Sequence, residues 1–381
     1  MRLMRNCAVP AFAFSLLSCV VFLGNANLAV GVERIEVMSM VDLQKELSLS
    51  GFHLLPQERA IPIQNTAINL NAGAGIAGNA PALAAFNRAA QNWQNVLGDP
   101  VVLNINIDMA SLGSGILGST SAASYYSDFN TIRDLVSGGA DTGSAAEAAT
   151  LAYLPTGAQF SAYGPSGFSL SGNMAATRAN LLALGVPQSD MGGLGTSDGS
   201  ITFSTNFTWD YDNSNDITPG AFSFESVATH EIGHVLGFVS EVDYVDYVLK
   251  QGETASLDPS PLDLFRFSSG DVPTTSAAFT TNIRDLVPGG TDYFSYVNGT
   301  IQMATGQYFG DGRQASHWKD LLGLGIMDPT LAPGEISLIG NNDLVAMDLI
   351  GWQVVPEPGT LVLLVTAGLG LLAYAWRRRR S

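Results

Sequence analysis

Hydrophobic positions change their period several times along the chain, and each change predicts an element. Phe86, Ala90, Trp93 and Leu97 recur at helical spacing, with Pro81 suited to a first turn and Gly98 able to end the run. Val101, Leu103, Ile105, Ile107 and Met109 then alternate with Asn104, Asn106 and Asp108, the pattern of a half-buried strand. Residues 110–198 are rich in Gly, Ser and Ala, with short helical pieces at 129–137 and 174–185 and no recognisable site. GSITFSTNF (199–207) returns to strand-like alternation. After Pro219-Gly220, Phe224, Val227, Ile232, Val235 and Leu236 predict a helix over about 223–238, uninterrupted by proline. The stretch 241–312, with Pro259, Pro261, Pro273 and Pro288, reads as an insertion of loops and short strands, LDLFRF (262–267) among the strands. A last helix is expected over Asn341–Ile350, packing through Leu344, Val345, Leu349 and Ile350. The fold class is α+β.

The two ends differ from this body. Arg2 and Arg5 precede an almost wholly apolar run over 8–23, and Gly24-Asn25-Ala26 offers small residues for cleavage, so residues 1–26 read as a secretory signal. Both cysteines, Cys7 and Cys19, fall inside it, and the processed body would carry no thiol. A lipoprotein cleavage before Cys19 competes with this reading, but Val20-Val21-Phe22-Leu23 stays apolar where a tether would be polar. Residues 27–78, running out in NLNAGAGIAGNAP, read as an N-terminal extension. At the other end, VPEPGTLVLLVTAGLGLLAYAWRRRRS joins a Pro-Glu-Pro turn to an apolar run and four arginines. As a helix that run, about seventeen residues, spans roughly 26 Å, enough for a thin bilayer, with the arginines held in the cytoplasm. The order of parts resembles the PEP-CTERM sorting signals of Gram-negative bacteria. The resemblance implies export across the inner membrane, recognition by an exosortase-type enzyme, and a sorting tail over 355–381.

Charge narrows the partners. The chain has a formal net charge of −17, and six of its 17 basic residues lie at the two ends (Arg2, Arg5, Arg377 to Arg380), so the body is more acidic still. Such a surface repels nucleic acid and anionic membrane, leaving the C-terminal tail as the one membrane contact.

Chemistry concentrates in ATHEIGHVLGFVSEVD (228–243). His230 and His234 lie four apart, one above the other on a helix, with Glu231 beside the first. This H-E-x-x-H arrangement holds a zinc ion with a general base next to it. Gly233 and Gly237 allow close approach and a chain turn. A catalytic zinc needs a third protein ligand, and six residues after His234 stands Ser240, a poor one. His317 in QASHWKD, Asp243 and Glu241 are the candidates; only four histidines exist, and His53 sits in the N-terminal extension. WDYDNSND (209–216) offers Asp210, Asp212 and Asp216, but Ala221 stands where a calcium loop needs glutamate, so a turn is expected.

HEIGHVLGF, followed far downstream by Ser316-His317-Trp318 and Met327, resembles the leishmanolysin-like branch of the metzincin metallopeptidases. The resemblance implies a metzincin-like domain over 79–354, interrupted by the 241–312 insertion, with a twisted mixed sheet, a zinc helix, and a C-terminal helix after a methionine turn. It implies His230, His234 and His317 as zinc ligands, Glu231 as general base, Met327 as the turn residue, a cleft-edge strand at 199–207, and a protein or peptide as substrate. A different class of function, a non-catalytic matrix or adhesion protein with structural zinc, also suits a sorting tail; such sites are usually closed by four ligands, often cysteine.

Overall fold

In the computed structural model, which describes residues 35–36, 66–113, 115–139, 145–191 and 196–355, the alternating run after residue 100 forms the strand Val102–Ala110. Its Leu103, Ile105 and Ile107 are buried, while Asn104 and Asn106 face outward and bond to Asn69 and Asn71 of a neighbouring strand at 3.2 and 3.4 Å. That neighbour is Ala67–Ala72, parallel to it. Ala67–Ala72 falls in the stretch read as an N-terminal extension, yet it is part of the main sheet. Its short alternation of Ile68 and Leu70 with asparagines is cut off by the glycine-rich run that follows.

The sheet order is Ala67–Ala72, Val102–Ala110, Gly199–Ser204, Gly118–Ala122, the first three parallel and the last antiparallel. One expectation is corrected here. Gly199–Ser204 is internal, paired on both sides, and so is not the cleft-edge strand. The edge strand is Gly118–Ala122, drawn from the Gly-, Ser- and Ala-rich stretch; GSTSA has no apolar alternation to betray it.

Two helices cover the apolar face. Ala80–Gln94 starts on an Asn79 cap and buries Phe86 and Trp93; Phe224–Leu236 starts on a Ser223 cap, whose Oγ accepts from the Ser226 N–H at 3.0 Å. They are locked by the Trp93 indole N–H donating to the Thr229 carbonyl at 2.7 Å and by Phe86 set edge-on to Phe203 and Phe224, at 5.3 and 5.7 Å. Aromatic pairs so arranged add about 0.5–1.5 kcal/mol to the burial of their area.

The stretch 241–312 belongs to the same core rather than decorating it. Helix Glu241–Gln251 leads to a 3₁₀ turn, Leu262–Phe265, and an antiparallel sheet in the order Arg266–Ser268, Asp292–Tyr296, Gly299–Met303. Leu264, Phe265, Phe267, Phe294 and Met303 join the main cluster. LDLFRF is thus a strand only from Arg266 onward, because Pro261 and the Ser260–Asp263 bonds wind its first half into a turn. Arg266, fully buried, pairs with Asp292 at 2.8 Å and donates to the carbonyls of Ala304 and Ala315. It thereby ties this sheet to the segment that carries His317.

The last helix is Asn341–Leu349. Backbone pairing also joins Ile35–Glu36 antiparallel to Thr330–Leu331. Among the described residues no helix is long and apolar enough to cross a membrane; residues 1–26, read above as a secretory signal, and the apolar run of the tail lie outside them.

Candidate metal centre

The helix Phe224–Leu236 runs two residues past its second histidine, and Gly237 ends it, at φ +118°. A side chain there would be strained in the left-handed region. The turn lets the Phe238 carbonyl fold back to accept from His234 Nδ1–H at 2.8 Å. His230 Nδ1–H donates to the Ile326 carbonyl at 2.7 Å and His317 Nδ1–H to the Gln314 carbonyl at 3.1 Å. Because a carbonyl can only accept, each imidazole carries its proton on Nδ1 and turns a bare Nε2 inward.

Those three Nε2 atoms meet. His230 and His234 approach to 3.0 Å, His230 and His317 to 3.2 Å, and the three ligand atoms all lie within 4.8 Å of one another. None of the three residues is more than 2% exposed. Burial pushes His230 down to about 4 against the pull of the Ile326 carbonyl. Burial also holds His234 and His317 well below the usual imidazole range, with the neighbouring rings adding to the effect. Three neutral imidazoles with lone pairs converging repel one another unless a cation sits among them. The donor set therefore fits a metal ion, each ligand fixed from behind by a backbone carbonyl.

Glu231 lies beside this group, fully buried against the edge strand. Thr120 donates its hydroxyl to Oε2, and also lies 3.3 Å from the Glu231 carbonyl. Two residues earlier on the same strand face, Gly118 leaves the carboxylate its space: a Cβ there would stand 2.7 Å from Oε1. Met327 is fully buried beneath the helix, its sulfur so close to Gly233 that a Cβ there would come within 2.5 Å.

Ser240, Glu241 and Asp243 are not in the histidine group. Ser240 caps the helix Glu241–Gln251 and donates to Asp263 at 2.6 Å, while its N–H donates to Ser316 Oγ at 2.8 Å. Asp243 accepts from the N–H groups of Ala315 and Ser316 at 2.6 and 3.1 Å and from the Ser316 hydroxyl. It fastens the segment that presents His317. On the other side, Asp343 accepts from Ile326 N–H, Met327 N–H and Trp318 Nε1–H at 2.7, 3.2 and 2.7 Å, bracing the Met327 turn. Thr120, Asp343 and the bracing role of Asp243 have no motif in the sequence; only the position of Asp343 in the first turn of a helix hints at a cap. Asp210 accepts from Thr218 N–H and Oγ–H at 2.8 and 2.6 Å, which makes 209–218 a closed turn.

Fold and centre together define an α+β protein built around a buried three-histidine group able to hold a metal ion. Its residues 354–380 match the PEP-CTERM protein-sorting motif. That motif indicates an exported protein of a Gram-negative bacterium, recognised by exosortase-type processing enzymes and sorted to the cell envelope or the extracellular space. No curated protein and no solved structure matches the chain.

Proposed function

We propose that this chain is an exported zinc metalloendopeptidase of the metzincin type. The observation that carries the reading is the convergence of three neutral imidazoles, His230, His234 and His317, beside a carboxylate that does not join them. Three protein nitrogens with a position left over is the ligand pattern of catalytic zinc. Bound there, zinc supplies a Lewis acid for the scissile carbonyl and makes a water molecule acidic near neutral pH. Glu231 takes the proton released by the attacking water and returns it to the leaving amine. Thr120 holds the carboxylate at the edge strand while it does so. Among the described residues no strand pairs with the outer edge of Gly118–Ala122, and an extended peptide adding there would bring its carbonyl toward Glu231. The antiparallel edge strand, the Gly237 turn and Met327 beneath the helix support the metzincin type.

A second reading, a structural zinc in a non-catalytic envelope or matrix protein, draws on the burial: the histidines and Glu231 are at most 2% exposed. Three ligands where structural sites use four weigh against it. The purified, zinc-loaded protein should hydrolyse casein in a chelator-sensitive way, and Glu231→Gln should keep its zinc while losing activity by orders of magnitude. Full activity in that variant would remove Glu231 from the chemistry; a zinc-loaded wild type with no hydrolysis would leave the structural reading.

A further inference from the structure

The described residues end at Val355, and the last of them are fastened to one place. Gln353 N–H donates to Asp99 Oδ2 at 2.8 Å and its carbonyl accepts from Gly98 N–H at 2.7 Å, Val354 bridges to Leu97, and Val355 N–H donates to the Val96 carbonyl at 2.9 Å. Pro356 follows at once, so no spacer separates the body from the Pro-Glu-Pro tail. The surface around this exit is uncharged. Val102 is 54% exposed, and its strand partner Ala67 follows Thr66, whose N–H reaches the Leu97 carbonyl at 3.5 Å. Val96 and Val355 are half-buried beside the exit, and Gln91, Asn95 and Pro100 are exposed around it. Between Thr66 and Ile107, the stretch that builds this surface, stand one acidic residue of the chain's 34 and one basic residue of its 17. The acid, Asp99, is fully buried; the base, Arg88, is paired with Glu225 at 2.7 Å. Just upstream of the exit, Asp343 is buried and Asp348 half-buried.

We propose that, while the tail is attached, this uncharged face rests on the outer leaflet of the inner membrane, its partner the phospholipid headgroup surface. The tail decides which part of the body meets the bilayer. With its apolar run in the hydrocarbon and Arg377 to Arg380 on the cytoplasmic side, the five residues from Val355 to Thr360 span at most about 18 Å of extended chain. Headgroups fill roughly 5–8 Å of that, which leaves a gap of about one Debye length. Charges are felt across such a gap. An acidic body is pushed away from a leaflet that holds anionic lipid, and carboxylates at the exit would pull on the tether. A face without them removes the repulsion where it would be strongest, and Val102 gains by leaving water. This face is thus the exception to the repulsion expected of the body as a whole. Trp352, three residues before the exit, donates its indole N–H to the Leu236 carbonyl at 2.8 Å, so the helix carrying His230 and His234 ends on the tethered side.

The proposal depends on neither metal nor peptidase activity and is tested without them. The full chain with its tail uncleaved, Cys7 and Cys19 replaced by serine, is reconstituted in vesicles of phosphatidylethanolamine with a minority of phosphatidylglycerol. Asn95→Cys, Val102→Cys and Asn215→Cys each carry one fluorophore, and lipid spin-labelled at its headgroup is the quencher. Asn215 is the distant control: it lies in the turn after Tyr211, whose hydroxyl accepts from Asn79 at the far end of the helix Ala80–Gln94, roughly 22 Å from the exit end. Quenching at positions 95 and 102 should exceed that at 215 several-fold. Gln91→Glu combined with Asn95→Asp should lower quenching at Val102→Cys at least about twofold at low salt, and much less in vesicles of phosphatidylcholine alone, where no anionic lipid repels the added charges. A Gly-Ser spacer of about ten residues between Val355 and Pro356 should lower quenching at 95 and 102 together. Equal quenching at the three positions, or the strongest at 215, would overturn the proposal, as would a doubly acidic variant that matches the parent in the anionic vesicles. Quenching at 95 and 102 that required the processing enzyme in the same vesicles would assign the face to that enzyme and overturn the lipid contact.

Discussion

Replacing Asp243 with alanine removes the acceptor of three donors at once: the Ala315 and Ser316 N–H groups and the Ser316 hydroxyl. A buried donor left without a partner costs about 1–3 kcal/mol, so the two backbone groups alone cost roughly 2–6 kcal/mol. An opposite effect comes from the carboxyl itself, which burial raises from 3.8 to about 7. At about 1.4 kcal/mol per pH unit, keeping it ionised at neutral pH costs roughly 4 kcal/mol, and truncation relieves that. The two effects nearly offset, and global stability at pH 7 should change by no more than about 2 kcal/mol. The damage is local, because the 315–317 segment loses its anchor while His317 keeps its ring. Loss of such a supporting contact lowers metal affinity about 10- to 100-fold. His317→Ala, by contrast, deletes a donor atom and should leave no stoichiometric zinc. Competition against a chromophoric chelator, with urea melts in parallel, separates the two. If Asp243→Ala lost zinc outright and His317→Ala kept it, Asp243 would be the third ligand and the bracing role assigned to it would be refuted.

Thr120→Val should lower kcat about 10- to 100-fold with KM nearly unchanged, and Thr120→Ser should recover most of it, since the hydroxyl and not the methyl holds Glu231; equal losses in both variants would point to packing. Asp343 is raised to about 6 by burial, so the folded state binds its proton more tightly than the unfolded state. Its contribution is full below about pH 4 and is lost as pH rises through 6, up to about 3 kcal/mol; urea melts from pH 4 to 7 should show this decline, and Asp343→Asn should flatten it. Gly233→Ala gains about 1 kcal/mol in helix propensity but presses a Cβ to 2.5 Å from the Met327 sulfur, and overpacking costs about 1–3 kcal/mol. Chemical denaturation should therefore show a net loss in the single variant that is smaller or reversed in a Met327→Ala background; additive effects would mean the two do not touch.

How much of this was legible before the structure depended on the range of each interaction. The helix Ala80–Gln94, the strand Val102–Ala110 and the histidine helix are periodic over two turns or more, and their apolar spacing survives into the observed core. The edge strand GSTSA was silent because small polar residues carry neither period, although its Gly118 and Thr120 frame Glu231. His230, His234 and Glu231 announced themselves by spacing on one helix. Asp243 could not: its partners are backbone N–H groups 72 and 73 residues away, and any sequence at 315–316 supplies an N–H. The same holds for Asp343, whose acceptors' work is done on the backbone of Ile326 and Met327.

Ser240 shows why the third histidine could come from so far. It caps a new helix, its hydroxyl bound to Asp263, and the chain turns away from the centre. What returns is a sheet rather than a loop: Gly299–Met303 receives the histidine segment through Ala304 N–H to the His317 carbonyl at 3.0 Å and Lys319 N–H to the Gln302 carbonyl at 2.9 Å. Buried Arg266 adds its bonds to Ala304 and Ala315, and Asp243 closes the far side. Loop closure over that length costs only slowly more with each added residue. Fixing one imidazole to within a bond length is the harder requirement, and the residues from 241 to 312 meet it by joining the core. Trimming that stretch takes Leu264, Phe265, Phe267 and Phe294 out of the main core and should therefore unfold the domain as a whole, which urea melts of the shortened chain would register as loss of the cooperative transition; a shortened chain that melted like the full one would refute the structural role given to this stretch.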